Sequence, residues 1–176
     1  MSAAKIAVVG LGNLMRADDA VGMLAIERLR ADPCPGPDVS IVEGGTLGLD
    51  LLYPLDGVTH LLALDAIDDG ASPGTLLKFE GDDVSRLPAA KSVHLLGFAD
   101  LLAAMRLTGS IPSEVVVLGV QPEVIAWGTA LSARVEATLP HLVDAAVAQI
   151  NDWRRGIHPP VPRSGWCGLV SENSCP

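Results

Sequence analysis

Short apolar runs without polar–apolar alternation recur along this chain, and they restrict its fold more than any other feature. Ile6–Val9, Val39–Val42 and Leu61–Leu64 are almost wholly apolar, the pattern of strands covered on both faces of a parallel sheet. Glu114–Val120 is a further run, with Pro112 and Pro122 outside it. Thr75–Phe79, between Pro73-Gly74 and Gly81-Asp82-Asp83, reads as an edge strand. Between the runs, apolar residues return at helical spacing. Val21, Leu24, Ala25 and Leu29 form one such stripe, and Thr46–Leu52 and Phe98–Leu107 are candidate helices. Val135, Leu139, Leu142, Val143, Ala146, Ile150 and Trp153 form the longest stripe, with Ser132 placed to cap it and Pro140 expected to kink it or mark a second start.

Strands that alternate with helices specify an α/β fold: a mostly parallel central sheet of about five strands with helices on both faces. The 176 residues suffice for one domain. We place it at 1–155, because after Arg155 the periodicity stops and Pro159, Pro160 and Pro162 lead into a Gly-, Ser- and Asn-containing stretch. Residues 156–176 read as a mobile or loosely docked tail.

Charge and cysteine usage narrow the function classes. Twelve Lys and Arg against 21 Asp and Glu give a net charge of −9, which opposes binding to nucleic acid or to an anionic membrane. No stretch is apolar for long enough to span a bilayer. Cys34, Cys167 and Cys175 are odd in number and form no CxxC pair, unlike a disulfide scaffold or a structural zinc site. These features fit a soluble protein of a reducing cytoplasm. They leave oligomeric state open.

In such folds ligands bind outside the carboxyl ends of the strands, and here acids collect at that edge. Asp18 and Asp19 follow the first strand, Glu43 closes the second and Asp65 closes the third. His94 falls in a loop just before a helix. Two or three carboxylates and one imidazole make an oxygen and nitrogen donor set for a divalent ion such as zinc or nickel, with positions left open. Each residue also has a plain structural alternative. An Asp after a strand serves as helix cap or turn residue, which we favour for Asp18. Asp65 would be buried and paired, His94 a satisfied loop histidine, and Glu43 an acceptor for the Gly44-Gly45 amides.

Gly10-Leu-Gly12-Asn-Leu-Met15 opens like a dinucleotide fingerprint but has Met15 in place of the third glycine. Two acids also occupy the loop where a pyrophosphate would sit. GxSxG, GxxxxGK[ST] and HExxH are absent from the sequence, so serine hydrolase, P-loop and zincin readings have no support.

Taken in order, Gly10-Leu-Gly-Asn-Leu-Met-Arg-Ala-Asp-Asp19-Ala-Val-Gly22, Glu43-Gly-Gly-Thr-Leu-Gly48, Leu64-Asp65-Ala66, His94-Leu-Leu-Gly97 with Asp100-Leu-Leu102, and Gly119-Val-Gln-Pro122 resemble the motifs of the hydrogenase maturation endopeptidases. The resemblance spans about residues 5–153 and leaves the tail outside it. It implies a single α/β domain with a twisted sheet, and an enzyme that trims the C-terminal extension of a nickel-iron hydrogenase large-subunit precursor. It further implies Asp19, Asp65 and His94 as metal-contacting residues, toward nickel supplied by the precursor, and no organic cofactor. The family's first ligand is Glu or Asp, here Asp19; the acid before Gly-Gly is often Asp, here Glu43. Asp19 or Asp65 would polarise through the metal, and Glu43 would orient or deprotonate water. Two other readings differ in class: a non-catalytic nickel- or precursor-binding maturation factor, and a Rossmann-like nucleotide binder.

Overall fold

The computed structural model describes residues 4–32, 35–85 and 93–156. Cys34, Cys167, Cys175 and the expected tail beyond Gly156 lie outside them. Among the described residues the strands form one five-stranded sheet in the order β2-β1-β3-β5-β4. The strands are β1 (Ile6–Leu11), β2 (Val39–Gly45), β3 (His60–Ala66), β4 (Leu76–Glu80) and β5 (Glu114–Val120). β1 pairs in parallel with both β2 and β3, and β3 pairs in parallel with β5. β4 is an edge strand, as its half-buried residues and flanking turns suggest, and it runs antiparallel to β5. The three central strands are buried almost end to end, which is why their sequences do not alternate.

The strand order places a topological switch between β1 and β3. From β1 the chain crosses to β2 on one side through α1 (Val21–Ala31), then returns to β3 on the other side of β1. The crossings use opposite faces. α1 and α4 (Ala133–Arg154) cover Val8, Leu62, Leu64 and Leu118 with Ile26, Leu29, Leu142 and Ile150. The other face carries Val9, Leu61, Ala63 and Val117 under Leu51, Phe98, Leu101 and Met105, the last three from α3 (Val93–Thr108). Each large apolar side chain buried this way contributes about 1.5–3 kcal/mol, so both faces are needed.

Three local expectations change. The helix expected over Thr46–Leu52 contracts to a 3-10 turn at Gly48–Leu52, because Gly48 stands at φ +50 and its backbone packs against Gly97. α3 starts at Val93 rather than Phe98; Gly97 obscures its first turn in the sequence and is the glycine that meets Gly48. Pro140 lies inside the single helix α4 and marks no second start. α2 (Asp82–Ser85) is one turn after β4.

Candidate active site

The crevice outside the carboxyl ends of β1 and β3 is where a doubly wound sheet opens to a ligand. Asp19 and Asp65 both lie at that end of the sheet, Asp19 in the turn after β1, which packs on β3, and Asp65 at the end of β3. Asp65 is the penultimate residue of β3 and is completely buried. Its neighbours on either side in β3, Leu64 and Ala66, face α1 and α4, so strand alternation turns Asp65 to the α3 face. Its Oδ1 accepts the Ala66 amide at 2.8 Å. A carboxylate placed so deeply costs several kcal/mol unless partners compensate it (about 3–5 if they are lost), and Asp65 makes further interactions.

Asp19 sits in a 3-10 turn, Ala17–Ala20, between β1 and α1, and is only 5% exposed. Its Oδ2 accepts the Asn13 amide at 3.1 Å. Close backbone approach brings this turn to β3. A Cβ built on Gly22 would lie 2.2 Å from the Leu64 carbonyl oxygen, and one on Gly12 would lie 1.9 Å from that of Asp19. Only glycine permits either contact, which gives the Gly10–Gly22 motif a physical meaning. Ala17, immediately before the acids, holds φ +49 and is the only non-glycine residue with positive φ among the described residues. That conformation costs an alanine roughly 1–2 kcal/mol.

His94 is the second residue of α3 rather than part of a loop before it. Its backbone reaches the same edge, since Gly97, one turn on, packs against Gly48 just past the end of β2. The His94 side chain lies outside the described ones. Among the described residues no three His, Cys, Asp or Glu side chains form a group able to hold a metal.

Glu43 stands apart. It shares a row of the sheet with Gly10 and Leu64, so its side chain takes the α1 face, opposite to that of Asp65. There it is exposed and ion-paired with Arg30 of α1, not with the Gly44-Gly45 amides.

Asp18 is structural, but neither as a cap of its own helix nor as a local turn. Its fully buried carboxylate accepts the amides of Glu123, Val124 and Ser132 at 2.8, 2.8 and 2.6 Å and the Ser132 hydroxyl at 2.9 Å. The Ser132 hydroxyl is thereby diverted from capping α4. Gln121, within the Gly119-Val-Gln-Pro122 motif, is a second latch. Its Oε1 accepts the Asp69 and Ala71 amides and its Nε2 donates to Asp68, fixing the β3–β4 loop beside Asp65. The clue was a polar residue between the apolar end of a central strand and a proline.

Two loops at this end of the sheet are bonded to each other. The Ala17 amide donates to the Gly128 carbonyl and the Gly128 amide to that of Met15. On these loops Leu14, Met15, Val124, Ile125 and Trp127 are exposed, Trp127 by 84%. Beside α1 the buried Asp18 and Asp19 hold negative charge where a nucleotide pyrophosphate would need positive.

Fold and site define a class: single-domain α/β proteins whose parallel strands deliver buried carboxylates to a crevice at the switch point. Comparison with known proteins places the chain within it. Residues 23–149 match the family described as hydrogenase maturation protease. The hydrogenase expression/formation protein HoxM of Cupriavidus necator is 36% identical over 162 residues, covering 90% of this chain and 79% of that protein. The hydrogenase 2 maturation protease of Escherichia coli is 33% identical over 150 residues, 84% and 92% of the two chains. The solved structure of the hydrogenase maturating endopeptidase HybD from Escherichia coli superposes with a TM-score of 0.78 at 32% identity, covering 85% of this chain and 93% of that one. The chain belongs to the hydrogenase maturation protease family and is a peptidase.

Proposed function

We propose that this peptidase removes the C-terminal extension of a nickel-iron hydrogenase large-subunit precursor, and that nickel already carried by the precursor is what it recognises. The observation that carries the reading is the placement of two buried carboxylates, Asp19 and Asp65, at the carboxyl ends of β1 and β3, in elements that pack on each other, with the backbone of His94 at the same edge. Two carboxylates and an imidazole are an incomplete donor set that leaves room for ligands from the precursor, thiolates above all. The exposed apolar side chains on the paired loops support a macromolecular substrate, since such patches on a small protein mark contact surfaces.

In this reading Asp19, Asp65 and His94 contact the nickel of the precursor, which orients the scissile peptide and polarises it toward water. Asp65, buried at the end of β3 on the α3 face, supplies one of the carboxylates. Asp19 closes the crevice from the glycine-bound turn. Hydrolysis is then a carboxylate-based reaction without a serine or cysteine nucleophile. Glu43, on the opposite face and held by Arg30, takes an outer electrostatic part. The reaction is placed in the cytoplasm, which fits the scarce cysteines.

The test is the intact mass of nickel-loaded large-subunit precursors in cells with and without this gene. Retention of the extension in one precursor only when the gene is absent supports the reading and identifies the substrate. Precursor binding without trimming by the purified chain would instead make it a non-catalytic maturation factor. The free chain is expected to hold divalent nickel weakly; stoichiometric, non-exchangeable zinc in the purified protein would remove nickel recognition from the account.

A further inference from the structure

We propose that Asp18 is a positioning residue for the processing reaction: it holds the strained turn that presents Asp19, and so fixes the direction of the Asp19 carboxylate. The inference rests on the assignment of Asp19 to the site. Three observations carry it. The first is the completeness of the clamp. A carboxylate with no exposed surface accepts three amides and one hydroxyl, all from residues 105 to 114 positions away. Its charge also lies beside the N-terminus of α4, which favours an anion. A carboxylate needed only to finish its own turn would find nearer partners.

The second observation is strain. Ala17 stands at φ +49 directly before Asp18, a conformation that a free alanine turn leaves for negative φ. What opposes that relaxation is the set of bonds to the β5–α4 loop: the Ala17 amide to Gly128, the Asp18 amide to Val124, and the Asp18 carboxylate. Strain held in place by surrounding bonds is characteristic of functional turns.

The third is the absence of slack at Asp19 itself. The Gly12 backbone presses on the Asp19 carbonyl and the Asn13 amide binds its Oδ2. A rotation at Ala17 is therefore transmitted to the Asp19 side chain rather than absorbed by the chain between.

The experiment compares the full-length chain with Asp18→Asn and with Asp18→Asn combined with Ala17→Gly. Each acts on nickel-loaded precursor, followed by intact mass, at a temperature where thermal melts show every variant folded. Asparagine keeps the shape of Asp18 but turns one acceptor into a donor that faces donors. The expected result is a fall in kcat of about tenfold or more with KM within about twofold, because the geometry of reaction rather than docking is lost. Glycine at position 17 holds positive φ without strain, so the double variant should recover at least about threefold of the lost kcat. An unchanged kcat in folded Asp18→Asn, a loss confined to KM, or no recovery by Ala17→Gly would each overturn the proposal.

Should Asp18→Asn fail to fold, Ser132→Ala takes its place, since it removes only the hydroxyl from the clamp. A kcat drop of about two- to fivefold that Ala17→Gly reverses then supports the proposal; an unchanged kcat refutes it. Wild-type protein that leaves the precursor uncut refutes the peptidase assignment to this substrate before any variant is compared. The positioning role would fall with it.

Discussion

The two edges of the sheet are both finished by polar contacts, yet they are built differently. At the amino edge, the buried Trp153 and more exposed side chains tie strand ends together. The Trp153 indole donates to Glu114 at 2.7 Å and lies edge-on to His60 with ring centroids 5.2 Å apart, while the Ser113 hydroxyl donates to the Thr59 carbonyl. At the carboxyl edge three carboxylates, Asp18, Asp19 and Asp65, have almost no contact with water and lie among glycines that let backbones approach closely. The second arrangement buries all three acids at one end of the sheet. A buried carboxylate costs stability unless its partners compensate it, and the placement of these acids at one edge is what the proposed function draws on.

Changes at the carboxyl edge should therefore act on processing, and those at the amino edge on stability alone. The largest effect is expected from Asp65→Asn, which keeps shape and removes charge. Processing should fall by about a hundredfold or more while far-UV circular dichroism is retained, as it should for His94→Ala. Unfolding of both variants would return these residues to a structural role. Next comes Gly12→Ala, where the added methyl meets the Asp19 carbonyl at 1.9 Å. The urea midpoint should drop by an amount equivalent to about 3 kcal/mol, with processing lost at the same time. A well-folded, active Gly12→Ala protein would show that the turn has slack.

Trp153→Phe tests the other edge. Loss of the bond to Glu114 should cost about 1 kcal/mol and leave kcat/KM for precursor unchanged; a selective loss of activity would break the contrast between the edges. For Glu43→Gln we expect at most a threefold reduction in cleavage rate, since its carboxylate is exposed and its ion pair with Arg30 contributes about 0–1 kcal/mol. A tenfold reduction would put Glu43 in the hydrolytic step.

The smallest effect concerns pH. The hydrogen bond from the Arg154 guanidinium holds the Asp38 carboxyl below its ordinary value of 3.8. A carboxyl lowered in the folded state stabilises above its unfolded value, and that increment disappears as pH falls through the folded one. Wild type should thus lose a small increment on acidification below about pH 4 that Asp38→Asn lacks, read as converging melting temperatures.

Much of this was legible in the sequence, and what was missed has a common cause. The apolar runs gave all five strands and the two-faced cover of helices, because burial on both sides leaves a direct mark on composition, and flanking turns marked β4 as an edge; that β4 runs antiparallel was not legible. The burial of Asp65 was legible by the same logic, as an acid where an apolar strand stops. The clamp was not legible. Asp18 and Ser132 are 114 residues apart, and no local pattern links a carboxylate to amides donated by a distant loop. The strained Ala17 was hidden too, since nothing in the identity of alanine announces a positive φ. Glu43 was assigned to the crevice by its place at a strand end, whereas strand register sends it to the opposite face.

Helix α4 begins at the clamp on Asp18 and ends at Trp153 beside the starts of β3 and β5. At about 1.5 Å per residue its 22 residues run roughly 33 Å across the domain. This has a consequence for the order of assembly. During synthesis the motif around Asp19 is complete early, but its turn gains its long-range support only when Ser132 emerges and α4 docks. Contacts so far apart in sequence form late, after the entropy of closing a long loop has been overcome. If Asp18 positions Asp19 as proposed, a nascent chain that ends before α4 carries Asp19 and Asp65 yet lacks the frame that aims Asp19, and competence to cut would arrive only with α4.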